Sequence, residues 1–175
     1  IYRVNARNIP VYHWLQDAEI GGGRINGEAS HFIDLLTPIN GSLPKEVSAM
    51  ALPDVNGLND TVNISIQFEN GSTGVIAYYA NGSKDLSKEY LEVYCSGNTA
   101  ILDDFKTLKI YGKSRPYKKN LFNQNKGQKE MMESFLSKIL KDGQSPIPMD
   151  EIFAVTRATF KVLDSIKNGS VPYKV

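Results

Sequence analysis

His31 and the side chains that share its surface are the residues of this sequence best suited to chemistry. Wound at 100° per residue, Arg24, Glu28, His31 and Leu35 project within about 60° of one another. Gly27 and Asp34 flank His31 on that surface. The group offers a cation, a carboxylate, an imidazole and a second carboxylate. An imidazole suits proton transfer near neutral pH, and a neighbouring carboxylate orients it and raises its proton affinity. Gly27 costs a helix about 1 kcal/mol relative to alanine, a cost easier to understand if something sits close to the backbone there. The same pattern also reads as a solvated helix face with an Arg24–Glu28 pair at i,i+4 and a His31–Asp34 pair at i,i+3.

Other candidate chemistry is weaker. His13 is the only other histidine; it lacks the HxH or HxxxH spacing of a shared metal site, and no metal is expected. Beside Trp14 it reads as part of a loop packed over a site. Gly21-Gly22-Gly23 precede a helix, whose N-terminus attracts anions, yet the run matches neither GxGxxG nor the phosphate-loop pattern. It reads as flexible or closely approached backbone. Cys95 is the single cysteine, which excludes an intrachain disulfide and a multi-cysteine metal framework. Of six Asn-x-Ser/Thr triplets, four are Asn-Gly-Ser, which is turn chemistry, and no glycosylation is expected.

The elements that must position these residues follow from periodicity. Residues 1–6 read as a strand, broken at Asn8-Ile9-Pro10. Ile25, Ala29, Phe32, Ile33 and Leu36 recur at helical spacing, predicting a helix over 24–36 that Pro38 and Asn40-Gly41 end. A run of strands comes next: 47–52, then 62–68 with period-2 alternation, then 73–79 beyond the Asn70-Gly71 turn. Asn81-Gly82 turns into a strand around Leu91, Val93 and Cys95, followed by strands at 100–102 and 108–111. Consecutive hairpins predict an antiparallel or mixed sheet. Residues 113–127, with Arg115, Lys118, Lys119 and Lys126, read as a solvated polar connection. Two helices close the chain: one on the stripe Met132, Leu136, Ile139 and Leu140, stopped at Asp142-Gly143, and one over 150–167, stopped at Asn168-Gly169.

Composition bounds the function classes. At 175 residues the chain suits one domain and buries about 70% of its unfolded surface. Twenty Lys and Arg against nineteen Asp and Glu leave a net charge of +1, which disfavours a nucleic-acid or anionic-membrane binder. No apolar run approaches the ~18 residues of a membrane span, and no secretory signal opens the chain; a cytoplasmic location is expected. The seventeen aromatics include tyrosines destined for both faces of the sheet, which suggests helices on one face and a subunit interface on the other. The opening Ile1-Tyr2-Arg3-Val4 reads as a strand already under way, the expectation being a piece of a longer protein.

The string Trp14-Leu15-Gln16-Asp17 … Gly21-Gly22-Gly23-Arg24-Ile25-Asn26-Gly27-Glu28-Ala29-Ser30-His31-Phe32-Ile33-Asp34-Leu35-Leu36 resembles the C-terminal half of the glucose-fructose oxidoreductase / inositol dehydrogenase / rhizopine catabolism (Gfo/Idh/MocA) family. It is most similar to the branch associated with polysaccharide and sugar-nucleotide biosynthesis. Tyr90-Leu91-Glu92-Val93 leading to Ala100-Ile101-Leu102-Asp103-Asp104-Phe105, and the two closing helices, agree in order. The resemblance implies an α+β fold: a large open, mostly antiparallel or mixed sheet with helices on one face, like the C-terminal domain of glyceraldehyde-3-phosphate dehydrogenase. It implies that residues 1–175 are a single substrate and oligomerisation domain whose N-terminal Rossmann domain, with its NAD or NADP, lies outside this chain. The implied activity is oxidation or reduction at a sugar or sugar-nucleotide hydroxyl, with assembly into dimers or tetramers through the sheet. By this resemblance His31 matches the family histidine that faces substrate and nicotinamide. Where many members carry Asp four residues before that histidine, this chain has Gly27; the resemblance then implies either that Glu28 stands in as its catalytic partner or that a lysine of the Rossmann half does the proton work. Arg24, Trp14, Asp17 and Asn5 match positions expected to make substrate or interdomain contacts. Asp34 matches an aspartate three residues after the histidine that either anchors the helix or touches substrate, and Gly27, at the position of the departure, is expected beside the substrate. The alternative is a non-catalytic α+β ligand-binding or oligomerisation module.

Overall fold

The computed structural model describes residues 1–112, 115–141 and 143–175. Lys113, placed by the sequence in the polar connection, and Asp142, half of the predicted helix stop, lie outside the described residues. Strands run β1 (Tyr2–Asn5), β2 (Pro44–Ala51), β3 (Val62–Phe68), β4 (Thr73–Tyr79), β5 (Glu89–Cys95), β6 (Asn98–Asp103), β7 (Thr107–Tyr111), β8 (Tyr117–Asn120) and β9 (Tyr173–Lys174); helices are α1 (Ser30–Asn40), α2 (Gln128–Lys141) and α3 (Met149–Lys167).

Among the described residues, nine strands join one sheet in the order β8-β7-β6-β5-β1-β4-β3-β2-β9. Every pairing is antiparallel except that of β1 with β4, which is parallel and sets Tyr2 opposite Ile76 and Val4 opposite Tyr78. The hairpin turns arise as their residues dictate. Gly71 sits at φ 85° and Gly97 at φ 79°, values open to glycine at no steric cost. The expected α+β architecture is the one observed.

Alternation along the strands builds the core. Val62, Ile64, Ile66 and Phe68 are buried while Asn63, Ser65 and Gln67 between them are exposed. Tyr2, Val4, Val47, Ile76, Tyr78 and Leu91 extend the same apolar face, and α1 (Phe32, Ile33, Leu36) and α3 (Val155, Ala158, Val162) cover it. Each such side chain contributes about 1.5–3 kcal/mol by leaving water. The tyrosines divide as expected: Tyr2 and Tyr78 lie under the helices, while Tyr94 and Tyr111 stay exposed on strands that pair across β6.

Several boundaries differ from the sequence reading. The predicted helix over 24–36 is a π-helical turn, Ile25–Ala29, running directly into α1. α1 also continues through Pro38 to a left-handed Gly41, whose N–H bonds the carbonyls of Thr37 and Pro38. A proline in the last turn forfeits one backbone bond without blocking the carbonyls that close the helix. The polar connection contains the edge strand β8, and β9 pairs with β2 at Glu46 and Val47. The predicted stripe of α2 buries none of its described residues. Among the described residues, no helix is long and apolar enough to cross a membrane.

Candidate active site

Arg24 organises the ground beneath His31. One π-helical turn shifts the phase between positions 24 and 31. Arg24 is therefore turned into the protein instead of sharing the surface with His31, and is only 3% exposed. Its guanidinium donates to the backbone oxygens of Arg7 (2.7 Å) and Ala6 (2.9 Å) and to both oxygens of Glu28 (3.2 and 3.3 Å). It lies 3.8 Å from Asp60 and over the ring of Tyr78. Tyr78 donates its hydroxyl to Glu28 at 2.9 Å. Burial pushes the Tyr78 phenol far above its ordinary range, against the opposing pull of the Arg24 charge. The i,i+4 pair read from the sequence is thus formed, and Glu28 is a carboxylate already held by two partners.

Beside this network opens a cavity of about 800 Å³, within the size range of small-molecule sites. Gly27, Glu28, His31 and Asp34 all line it, so four of the predicted residues converge. His31 is exposed there and, among the described residues, has no hydrogen-bond or ion-pair partner. Its imidazole is free to meet a ligand. Glu151, at the start of α3, lines the same cavity. Burial, with the charges of Asp34 and Asp150, raises its carboxyl above the ordinary value.

The remaining predicted residues lie elsewhere. Trp14 is exposed on a 3-10 turn, its ring 5.8 Å from that of His13. Asp17 accepts the N–H groups of Glu19 and Ile20 in a turn. Asn5 is buried and donates to the carbonyls of Ser83 and Leu86, which ties down the loop before β5. What comes close to Gly27 is the Leu15 side chain, which a Cβ would strike. Gly21 is similarly closed in, since its Cβ would lie 2.6 Å from Leu15 Cα. At Gly21 the chain's own backbone fills the adjoining space, and the run matches no dinucleotide fingerprint. Among the described residues, no three His, Cys, Asp or Glu side chains are grouped to hold a metal.

Sequence reasoning missed the opposite lining. Glu89 at the start of β5 is 5% exposed and accepts the Tyr2 hydroxyl and the Lys126 ammonium. All three line the cavity, with Lys88 and Phe105. Burial, then the Glu89 carboxylate, pushes the Tyr2 phenol up. The signal for Glu89 was present: it shares the period-2 phase of Leu91 and Val93, which faces the core.

The profile of the GFO/IDH/MocA C-terminal domain matches residues 2–101. That is more than half of the chain, from β1 through the His31 turn to β6. The chain belongs to this family. No curated protein matches this GFO/IDH/MocA domain. Among solved structures, UDP-N-acetylglucosamine 3-dehydrogenase from Acidithiobacillus ferrooxidans superposes with a TM-score of 0.74 at 16% identity, over 95% of this chain and 52% of that one. An NAD binding oxidoreductase from Klebsiella pneumoniae gives 0.80 at 16% identity, over 99% of this chain and 57% of that one. Levoglucosan dehydrogenase, in complex with NADH and levoglucosan, gives the same values. At such identities the likeness establishes the shared fold. The chain spans about half the length of these structures.

Proposed function

We propose that this domain is the substrate-binding and catalytic C-terminal part of an NAD(P)-dependent oxidoreductase acting on a sugar or sugar-nucleotide hydroxyl. The observation that carries the reading is an unpartnered, exposed His31 opening into a cavity, in a domain of the GFO/IDH/MocA family. Solved structures of the same fold include a UDP-sugar dehydrogenase and a complex with NADH and a sugar, which supports the proposed substrate class and agrees with the polysaccharide-type branch.

In this reading His31 takes the proton of the hydroxyl that is oxidised, or returns it in the reverse direction. Glu28, fixed by Arg24 and Tyr78, holds the turn that carries His31 and presents a negative edge to the cavity. Asp34 accepts a substrate hydroxyl, and Gly27, whose missing side chain makes room for Leu15, lines the cavity through its backbone. Trp14 and Asp17 serve substrate or interdomain contacts, while Asn5 holds the loop before β5. The nicotinamide cofactor belongs to a Rossmann domain outside residues 1–175, and no residue of this chain is assigned to its phosphates. The uncovered sheet face, which presents Tyr94 and Tyr111, is the proposed surface for pairing subunits into a dimer or tetramer.

The test is His31→Ala in the full-length protein. Turnover should fall by about 10²–10⁴, the usual worth of a positioned acid/base, while the unfolding midpoint hardly moves because the side chain is exposed. Retained activity would leave His31 without a chemical role. A histidine buried away from any cleft would have supported the non-catalytic alternative; the open position of His31 favours the enzyme.

A further inference from the structure

We infer that the cavity wall built by β5 and the segment before α2 binds an anionic substituent of the substrate, a carboxylate or a phosphate, with Lys126 as its anchor. The inference rests on the proposed oxidoreductase reading for the nature of the substrate, and on the cavity itself for the charge preference.

Lys126 is held in place from below. Its ammonium pairs with Glu89, whose side chain is 6% exposed, and Glu89 is itself held by the Tyr2 hydroxyl. The Phe105 ring lies 5.4 Å from Lys126 Nζ. An ammonium has three N–H donors, and Glu89 engages one of them. The Lys126 side chain is 40% exposed and lines the cavity, so donors remain for a ligand. Lys88, next to Glu89 in sequence, lines the cavity too and has no ion-pair partner among the described residues. Two ammoniums against one buried carboxylate leave this wall positive.

The wall built by α1 and α3 has the opposite sign. Asp34 and Glu151 line it, and neither pairs with a cation among the described residues. An anionic substituent is drawn to Lys126 and Lys88 and rejected by Asp34 and Glu151, whereas sugar hydroxyls can donate to those carboxylates. The polarity therefore sets which end of the substrate meets His31. A pinned cation positions better than a mobile one because less side-chain freedom is lost on binding.

The experiment is calorimetric titration of the full-length protein with glucose, glucuronate and glucose 1-phosphate, followed by turnover of each with NAD and with NADP. The wild type should bind at least one anion about tenfold or more tightly than glucose at low ionic strength, and the preference should shrink as salt is added. Which anion wins separates a carboxylate from a phosphate source. Lys126→Gln should cut the preference by about 10- to 100-fold, the worth of one charge-assisted hydrogen bond, and Lys126→Arg should restore much of it. Equal affinities for the three sugars, no binding of either anion, or equal loss for all three in Lys126→Gln would overturn the inference. Lys126-dependent anion binding without oxidation of any sugar would uphold it and defeat the oxidoreductase reading. His31-dependent oxidation without a charge preference would do the reverse.

Discussion

Arg24 carries a full charge into the interior and satisfies it with two main-chain oxygens and a carboxylate. Removing one member of such a buried pair leaves the others stranded. Arg24→Met should therefore destabilise the domain by about 3–5 kcal/mol, read from urea unfolding; a loss under 1 kcal/mol would mean water replaces the guanidinium easily. Glu151 gives a pH prediction. Its folded-state proton affinity is raised by burial and by Asp34, so ionising it opposes folding. Stability is highest with both folded and unfolded forms protonated and is lost as pH rises from below the ordinary value of 4.5 through the raised one. Glu151→Gln should thus raise the melting temperature at pH 7 and have little effect at pH 3. The Arg24–Glu28 pair was legible from spacing alone. The burial of Arg24 was not, because one π-helical turn, invisible to a 100° projection, changes which way position 24 faces relative to His31.

At the scale of elements, the strands from β3 to β7 were legible because their turn residues and alternation are local. β8 and β9 were not. Tyr117-Lys118-Lys119-Asn120 is a polar edge strand with no apolar face to betray it, and β9 has two residues. Pairing across such distances is decided by what already lies at the sheet edge. α3 is joined to that edge by Ser165, which is fully buried. Its hydroxyl accepts the Ala49 N–H at 2.9 Å and donates to the Val171 carbonyl at 2.7 Å. One side chain thus links β2, α3 and the chain leading into β9. Ser165→Ala strands the buried Ala49 N–H, frees the Val171 carbonyl, and should cost about 1–3 kcal/mol. Hydrogen exchange should quicken at the Ala49 amide in particular; uniform exchange behaviour would show that the hydroxyl is not the lock.

For the molecule as a whole, the sequence showed that strands follow one another in hairpins, and consecutive hairpins suggest a sheet in chain order. The observed order breaks this pattern at two places: β9 lies beside β2, and β1 lies between β4 and β5. Nothing local marks Tyr2–Asn5 for that position: β1 pairs with residues 76–79 on one side and 89–91 on the other. The convergence of Tyr2 and Glu89 on the cavity went unread for the same reason, since it depends on β1 lying beside β5. The consequence concerns cooperativity. The β2–β3–β4 meander and the β5–β6–β7–β8 meander share no direct strand pairing, and β1 is the seam that makes them one sheet. Weakening the seam, for instance with Val4→Gly at a fully buried position, should split a single unfolding transition into two, with the β5–β8 half melting first because the α1–α3 layer packs on the other.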